Sequence, residues 1–139
     1  EVGDDAFMLG CMSSLPYDWV ARRLVEVNLT AEILTAFPLP VADREDPRRR
    51  RASLIAARLA AIDDRFAEWA AAIGVKPGSV TTESEGDSLK AELDALVANL
   101  YGLSRTQVEH VFATYHRGWD YNPRLAKVLE YFDAIEVAG

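Results

Sequence analysis

Apolar positions recur along most of this chain at steps of three and four residues, the signature of helices that each bury one face. Over residues 5 to 26 the stripe is Phe7, Met8, Cys11, Met12, Leu15, Trp19 and Val20, with Asp4 or Asp5 placed to cap its start. Pro16 interrupts it. Two outcomes are open there: a kinked helix, or a break at "SSLPYDW" in which Ser13 or Ser14 caps a second helix carrying Pro16 in its first turn. In "VNLTAEILTAFPLP" the apolar residues Leu29, Ile33, Leu34 and Phe37 suit a turn and a half of helix. "FPLP" must then be extended, because each proline disfavours helix in the residue before it.

Between Val41 and Arg48 the pattern gives way to charged residues and another proline, a candidate boundary. We therefore expect residues 1–40 to be the end of a connector or recognition region and 41–139 a helical C-terminal domain. From 48 to 73 a broad stripe of Leu54, Ile55, Ala57, Leu59, Ile62, Phe66, Trp69, Ala70 and Ile73 predicts one long helix stopped by Gly74. "VKPGSVTTESEG" reads as a loop. A helix capped by Asp87 or Ser88 follows, burying Leu89, Leu93, Leu96, Val97 and Leu100 and ending at Gly102. Ser104 caps a shorter one, with Gln107 at the reciprocal position of a capping box. Asn122 caps the last, with Pro123 at its first position and Leu125, Val128, Leu129 and Phe132 on one face. The expected fold is mainly α: four to five helices in a small bundle, with a short extended proline-containing segment near residues 36–40.

Composition narrows this picture. A length of 139 residues, 50% of them hydrophobic, is enough for one core or two small lobes. No apolar run approaches the 18 or more residues that span a bilayer, so no membrane is expected as a partner. The chain opens at Glu1 without Met or a signal-like segment, and we expect a piece cut from a longer protein. Its single cysteine, Cys11, excludes an internal disulfide and suits a reducing, cytoplasmic setting.

Net charge is −7, but it is unevenly spread. "DPRRRRA" puts four arginines in a row, whereas "ESEGDSLKAELD" has five carboxylates against one lysine. Folding could bring Arg22, Arg23, Arg44, Arg48, Arg49, Arg50 and Arg51 onto one surface around the prolines. Guanidinium groups grip phosphate bidentately, and arginines at a helix start oppose the helix dipole, which favours an external anion. The alternative is a solvated basic face.

Other chemistry is sparse. His110 and His116 stand six residues apart, on different sides of a helix, and no carboxylate lies at zinc-helix spacing. Asp63, Asp64 and Glu68 read as surface charge interleaved with Arg65, and the apolar neighbours of Cys11 argue for burial rather than nucleophilic use. No Gly-rich phosphate loop, nucleophile elbow or dinucleotide fingerprint occurs, so no catalytic residue and no metal site are assigned. "HRGWDY", residues 116–121, reads as a packed corner between two helices.

Two stretches carry a family resemblance. "FMLGCMSSLPYDWVARRLVEVNLTAEILTAFPLP" is similar to a segment near the C-terminal end of N6-adenine DNA methylases of type II, type IIG-like, restriction–modification systems. There a helix resembling "LLGLLNSSLFDWYLR" precedes a basic stretch and "NLNxxxLxxLPIP". The matching residues are Leu9, Gly10, Ser13, Ser14, Asp18, Trp19, Arg22 and Arg23, then Asn28, Leu29, Leu34, Phe37, Pro38, Leu39 and Pro40. "AELDALVANLYGLSRTQVEHVFATYHRGWDY" resembles the closing segment of the same proteins, "ELDALVAxLYGLTxxxLxxIxxTF". Pro16 departs from the pattern, standing where the family has a bulky apolar residue.

The resemblance implies a large parent, with an S-adenosylmethionine-dependent methylase core bearing an "NPPY"-type motif and in some members an endonuclease. None of that core lies in these residues, so no cofactor is expected here and S-adenosylmethionine belongs to the parent. The implied role is DNA positioning or support of target recognition. Its partners would be the remainder of the methylase and, weakly through the arginines, DNA. The competing expectation is a protein-interaction or oligomerisation module without DNA contact, a homo-oligomer included, using the apolar stripe of residues 48–73. A complete small enzyme is the least favoured reading.

Overall fold

The structure, a computed structural model, describes residues 1–25, 28–115 and 118–138. The chain is mainly helical and shows no strand among the described residues. Its helices are α1 (Val2–Met12), α2 (Leu15–Leu24), α3 (Ala31–Ala36), α4 (Pro47–Ala60), α5 (Ala67–Ile73), α6 (Glu83–Leu100), α7 (Arg105–Ala113) and α8 (Asn122–Ala138), with one 3-10 turn at Asp64–Phe66. This exceeds the expected four to five because local side-chain chemistry breaks two of the stripes.

At "SSLPYDW" the break, not the kink, is realised. Ser14 adopts extended backbone and accepts the Tyr17 N–H, leaving Pro16 in the first turn of α2, where its missing N–H costs nothing. The expected helix over 48–73 also divides. Asp63 accepts the Arg65 N–H at 3.0 Å and starts the 3-10 turn, an instance of a short acidic side chain competing with the helical backbone. On either side of this break Ala57 and Ala61 pack with Ala70 and Val75, whereas Ile62 and Phe66 within it are exposed.

The helix α6 begins earlier than Asp87. Thr82 accepts the Glu85 N–H at 3.1 Å, while the Glu85 carboxylate accepts the Thr81 N–H at 3.2 Å, so "ESEG" is helical rather than loop. At the other end, Asn122 is the first residue of α8, and its N–H is capped by Asp120 at 3.0 Å. Ser104 and Gln107 do form the reciprocal box on α7, and Gly74 closes α5 with φ 82°. Residues 37–40 lie outside any helix, with extended backbone at Phe37.

The long helix α6 is the centre of the molecule. Its Leu89, Leu93, Leu96 and Val97 pack with Phe7 and Cys11 of α1 and Ala52 and Ile55 of α4. Its alanines, Ala91, Ala95 and Ala98, pack on the other side with Val108, Val111 and Phe112 of α7 and Val128 and Phe132 of α8. Burying side chains such as Phe132 and Val128 contributes about 1.5–3 kcal/mol each. Small residues let α1 lie close on α4: a Cβ at Gly10 would sit 3.2 Å from Cβ of Ala56 and 3.3 Å from the Ala52 carbonyl oxygen. Of the stripe expected to face a partner, Ile55, Ala57 and Ala70 are fully buried and Leu54, Leu59, Trp69 and Ile73 partly so, while Ile62 and Phe66 stay exposed.

Candidate functional site

The most unusual group in the interior is Asp94, midway along α6 and 1% exposed at its side chain. Oδ1 accepts the N–H of Leu15 at 2.8 Å, satisfying one of the donors that the first turn of α2 leaves without a helical partner. Oδ2 accepts from Nε of Arg124, on α8, at 2.7 Å, and Nη2 of Arg124 stands equally close. Burial pushes the Asp94 carboxyl up to about 6, and the Arg124 charge and the Leu15 N–H hold it from rising further. One carboxylate thus ties α2, α6 and α8 together. Both oxygens are occupied and the side chain is buried, which suits a structural clamp.

Four further contacts tie α2 and the "FPLP" segment to the end of α6 and the end of α7. Tyr101, just past α6, donates from Oη to the Pro38 carbonyl at 2.7 Å, and the ring of Phe37 meets Tyr17 edge-on with centroids 5.7 Å apart. Nε1 of Trp19 donates to Thr114 Oγ1 at 2.9 Å, and the Tyr115 hydroxyl donates to Asp18. The start of α2 and residues 37–38 are therefore tied to Asp94, Tyr101, Thr114 and Tyr115 in one joint. A cavity of about 340 Å³ opens beside it, lined by Ser13, Asp18, Tyr115, Tyr121 and Arg124 among others.

No family model, curated protein or solved structure matches this chain.

The arginines fall into separate groups. Arg44 and Arg49 converge on Asp4 of α1, each at 2.5 Å, and Arg44 also reaches Glu1. Arg48 is held by Asp46 and by Asn99 Oδ1 at 2.8 Å, and Arg50 pairs with Glu45. Arg51 makes a two-pronged pair with Glu92 at 2.6 and 2.7 Å. Arg48 and Arg51 line a largely apolar groove of about 860 Å³ between α4, α6 and the end of α8. Arg22 and Arg23 lie elsewhere, at the junction of α2 and α7, and among the described residues share no partner with the other five. Arg22 bonds Asp18 at 3.0 Å, while Arg23 donates to the Trp19 carbonyl and lies 3.5 Å over the Trp19 ring.

Six of the seven arginines therefore already face a carboxylate, and Asp4 and Asp46 are held below the usual carboxylate range by Arg44 and Arg48 respectively. A phosphate at these positions would have to compete with geometry that arginine favours.

The remaining sequence candidates are quickly placed. Cys11 is fully buried, and desolvation pushes its thiol up to about 12. Asp63 pairs with Arg65 on the surface, and His110 stacks edge-on against Trp19. His116 lies outside the described residues. Among the described residues no group of three or more His, Cys, Asp and Glu could hold a metal ion, and no helix is long and apolar enough to cross a membrane.

Sequence reasoning missed Asp94 and Arg124, counting the first only among the five carboxylates of "ESEGDSLKAELD". A signal was present: Asp94 falls within the alanine stripe Ala91, Ala95, Ala98, so a second face of α6 had to be covered.

Proposed function

We propose that this chain is a non-catalytic helical support within a restriction–modification N6-adenine DNA methylase, holding the recognition region in place rather than gripping DNA itself. The observation that carries this reading is the joint around Asp94. The two stretches that resemble the methylase pattern lie 79 residues apart at Leu15 and Asp94, yet they are hydrogen-bonded to each other. Spacing along the chain would not require that; a shared structural unit would. A rigid joint of this kind suits an element that must keep a base-reading surface oriented against a separate catalytic domain. The S-adenosylmethionine pocket and the "NPPY"-type motif then belong to the rest of the parent, and a cytoplasmic location follows from the same reading and from the lone buried thiol.

Two measurements test it. The coding region upstream of Glu1 is expected to contain an "NPPY"-type motif in frame, and an upstream region without a methylase core overturns the parentage. Direct DNA contact is tested by fluorescence anisotropy with duplex DNA at low salt, using the full chain and its Arg44→Ala/Arg50→Ala variant. These two arginines are among the most exposed of the seven, at 59% and 56%. We expect no salt-sensitive binding in either protein. Binding that weakens steeply with salt and drops in the variant would restore the arginines as phosphate contacts.

A further inference from the structure

The groove of about 860 Å³ runs along the second half of α6. Its base is the stripe Glu92, Leu96 and Asn99, at steps of four and three residues, so it follows α6 for two turns, roughly 10 Å. The helices α4 and α8 pack on different faces of α6 and supply the walls, with Pro47 and Arg48 on one side and Ile135 and Ala138 on the other. The groove is largely apolar and open along its length.

The charges around it are unbalanced. Four carboxylates line the groove against two arginines. Arg51 is engaged by Glu92 in the two-pronged pair, and Arg48 by Asp46 and Asn99. That leaves Asp43 and Glu136, both exposed, one before α4 and the other on α8. Asp43 accepts the Glu45 N–H at 2.8 Å, and neither carboxylate makes an ion pair among the described residues. Two uncompensated negative charges therefore flank an apolar surface. Apolar groups also stand in water at both edges: Val137, between Glu136 and Ala138, is 89% exposed, and Val41, two residues before Asp43, is 98% exposed.

We propose that this groove docks an amphipathic helix of a partner protein, with aliphatic side chains entering between Pro47 and Ile135 and lysine or arginine meeting Asp43 and Glu136. A groove two turns long offers the i, i+3 or i+4, and i+7 contacts by which an amphipathic helix is read. Opposite charge at the rim fixes the orientation of that helix and speeds its encounter. A simple cation would leave the apolar surface unused, and an acidic helix would be repelled at both edges. The proposal does not depend on the methylase parentage.

Fluorescence anisotropy of labelled peptides titrated with the full chain tests it. The probes are a helical peptide with Leu on one face and Lys on the other, its Leu/Glu counterpart, and a Ser/Lys peptide of the same charge. The Leu/Lys helix is expected to bind saturably, and the other two at least about tenfold more weakly. Asp43→Asn with Glu136→Lys should weaken the Leu/Lys helix about tenfold. Glu68→Gln with Glu83→Lys, the same change of charge at exposed positions outside the groove, should leave it within about twofold. Unchanged circular dichroism will show that both variants fold. Absence of saturable binding by the Leu/Lys helix overturns the proposal. So does equal binding of the Ser/Lys or Leu/Glu peptide, or an equal loss in the two variants. A concentration-dependent dimer in sedimentation that the Asp43→Asn/Glu136→Lys variant dissolves would assign the groove to a second copy of this chain and overturn it as well.

Discussion

Asp94 concentrates the energetics of single residues in this protein. A carboxylate in an apolar helix bundle is costly to desolvate, and the cost is offset only because Arg124 and the Leu15 N–H both reach it. Since burial raises its pKa above the ordinary 3.8, the folded chain holds this proton more tightly than the unfolded chain. The stabilising contribution is therefore fully present below the unfolded value and is lost as pH rises through about 6. Arg124→Ala removes the counter-charge and drives the carboxyl further upward. We expect that variant to be destabilised by about 3 kcal/mol at neutral pH, and distinctly less at mildly acidic pH where Asp94 is protonated. Urea unfolding at about pH 5 and about pH 7.5 checks this; an equal loss at both would mean that the pair is not electrostatic in its effect. The sequence shows the carboxylate but not its burial. Nothing local to "AELDALV" says which residue, 30 positions on, will neutralise it.

Among the elements, α1 and α7 show two kinds of dependence. The contact of α1 with α4 relies on Gly10, where an added Cβ already crowds Ala56 and the Ala52 carbonyl. Gly10→Val should push the helices apart and cost about 1–3 kcal/mol, read as a lower urea midpoint with an unchanged slope. The helix α7 depends on its cap: Ser104 accepts the Gln107 N–H at 3.3 Å and Gln107 returns a bond to the Ser104 N–H at 2.8 Å. Ser104→Ala is expected to cost about 1 kcal/mol, with the loss seen as faster hydrogen exchange confined to the first turn of α7. This cap was legible because its signal lies within four residues. The equivalent signal at Thr82 and Glu85 was equally local, but the polar "TTESEG" carries no apolar stripe to mark it as helix. The break after Ala61 was hidden for the opposite reason, since the stripe continues across it.

For the molecule as a whole, the two larger core clusters share α6, one joining it to α1 and α4 and the other to α2, α7 and α8. Phe7 and Cys11 share a cluster with Ile55, Leu93 and Val97, and Leu15 shares one with Val111 and Phe132. We therefore expect residues 1–40 and 41–139 to unfold in one transition, with helix content and tryptophan emission changing together. Separate transitions would show two independently stable units. The surface charges contribute little to that transition, because exposed ion pairs such as Arg44 with Glu1 are screened by solvent.

What the sequence by itself determined was the set of properties that depend on near neighbours. Helical class, the Ser104 box, the Gly74 stop, the leucine face of α6, the buried face of α8 and the burial of Cys11 all follow from periodicity and capping within a few residues. Tertiary structure decided what depends on partners far along the chain. It paired the arginines with Asp4, Glu92 and other carboxylates, turned the apolar stripe of α4 inward, and joined "SSLP" and "FPLP" to α6 through Asp94 and Tyr101. It also brought Tyr121, Lys90 and Lys127 to the lining of one cleft. A charge or an aromatic ring is visible in the sequence; what stands within 4 Å of it is a property of the folded chain.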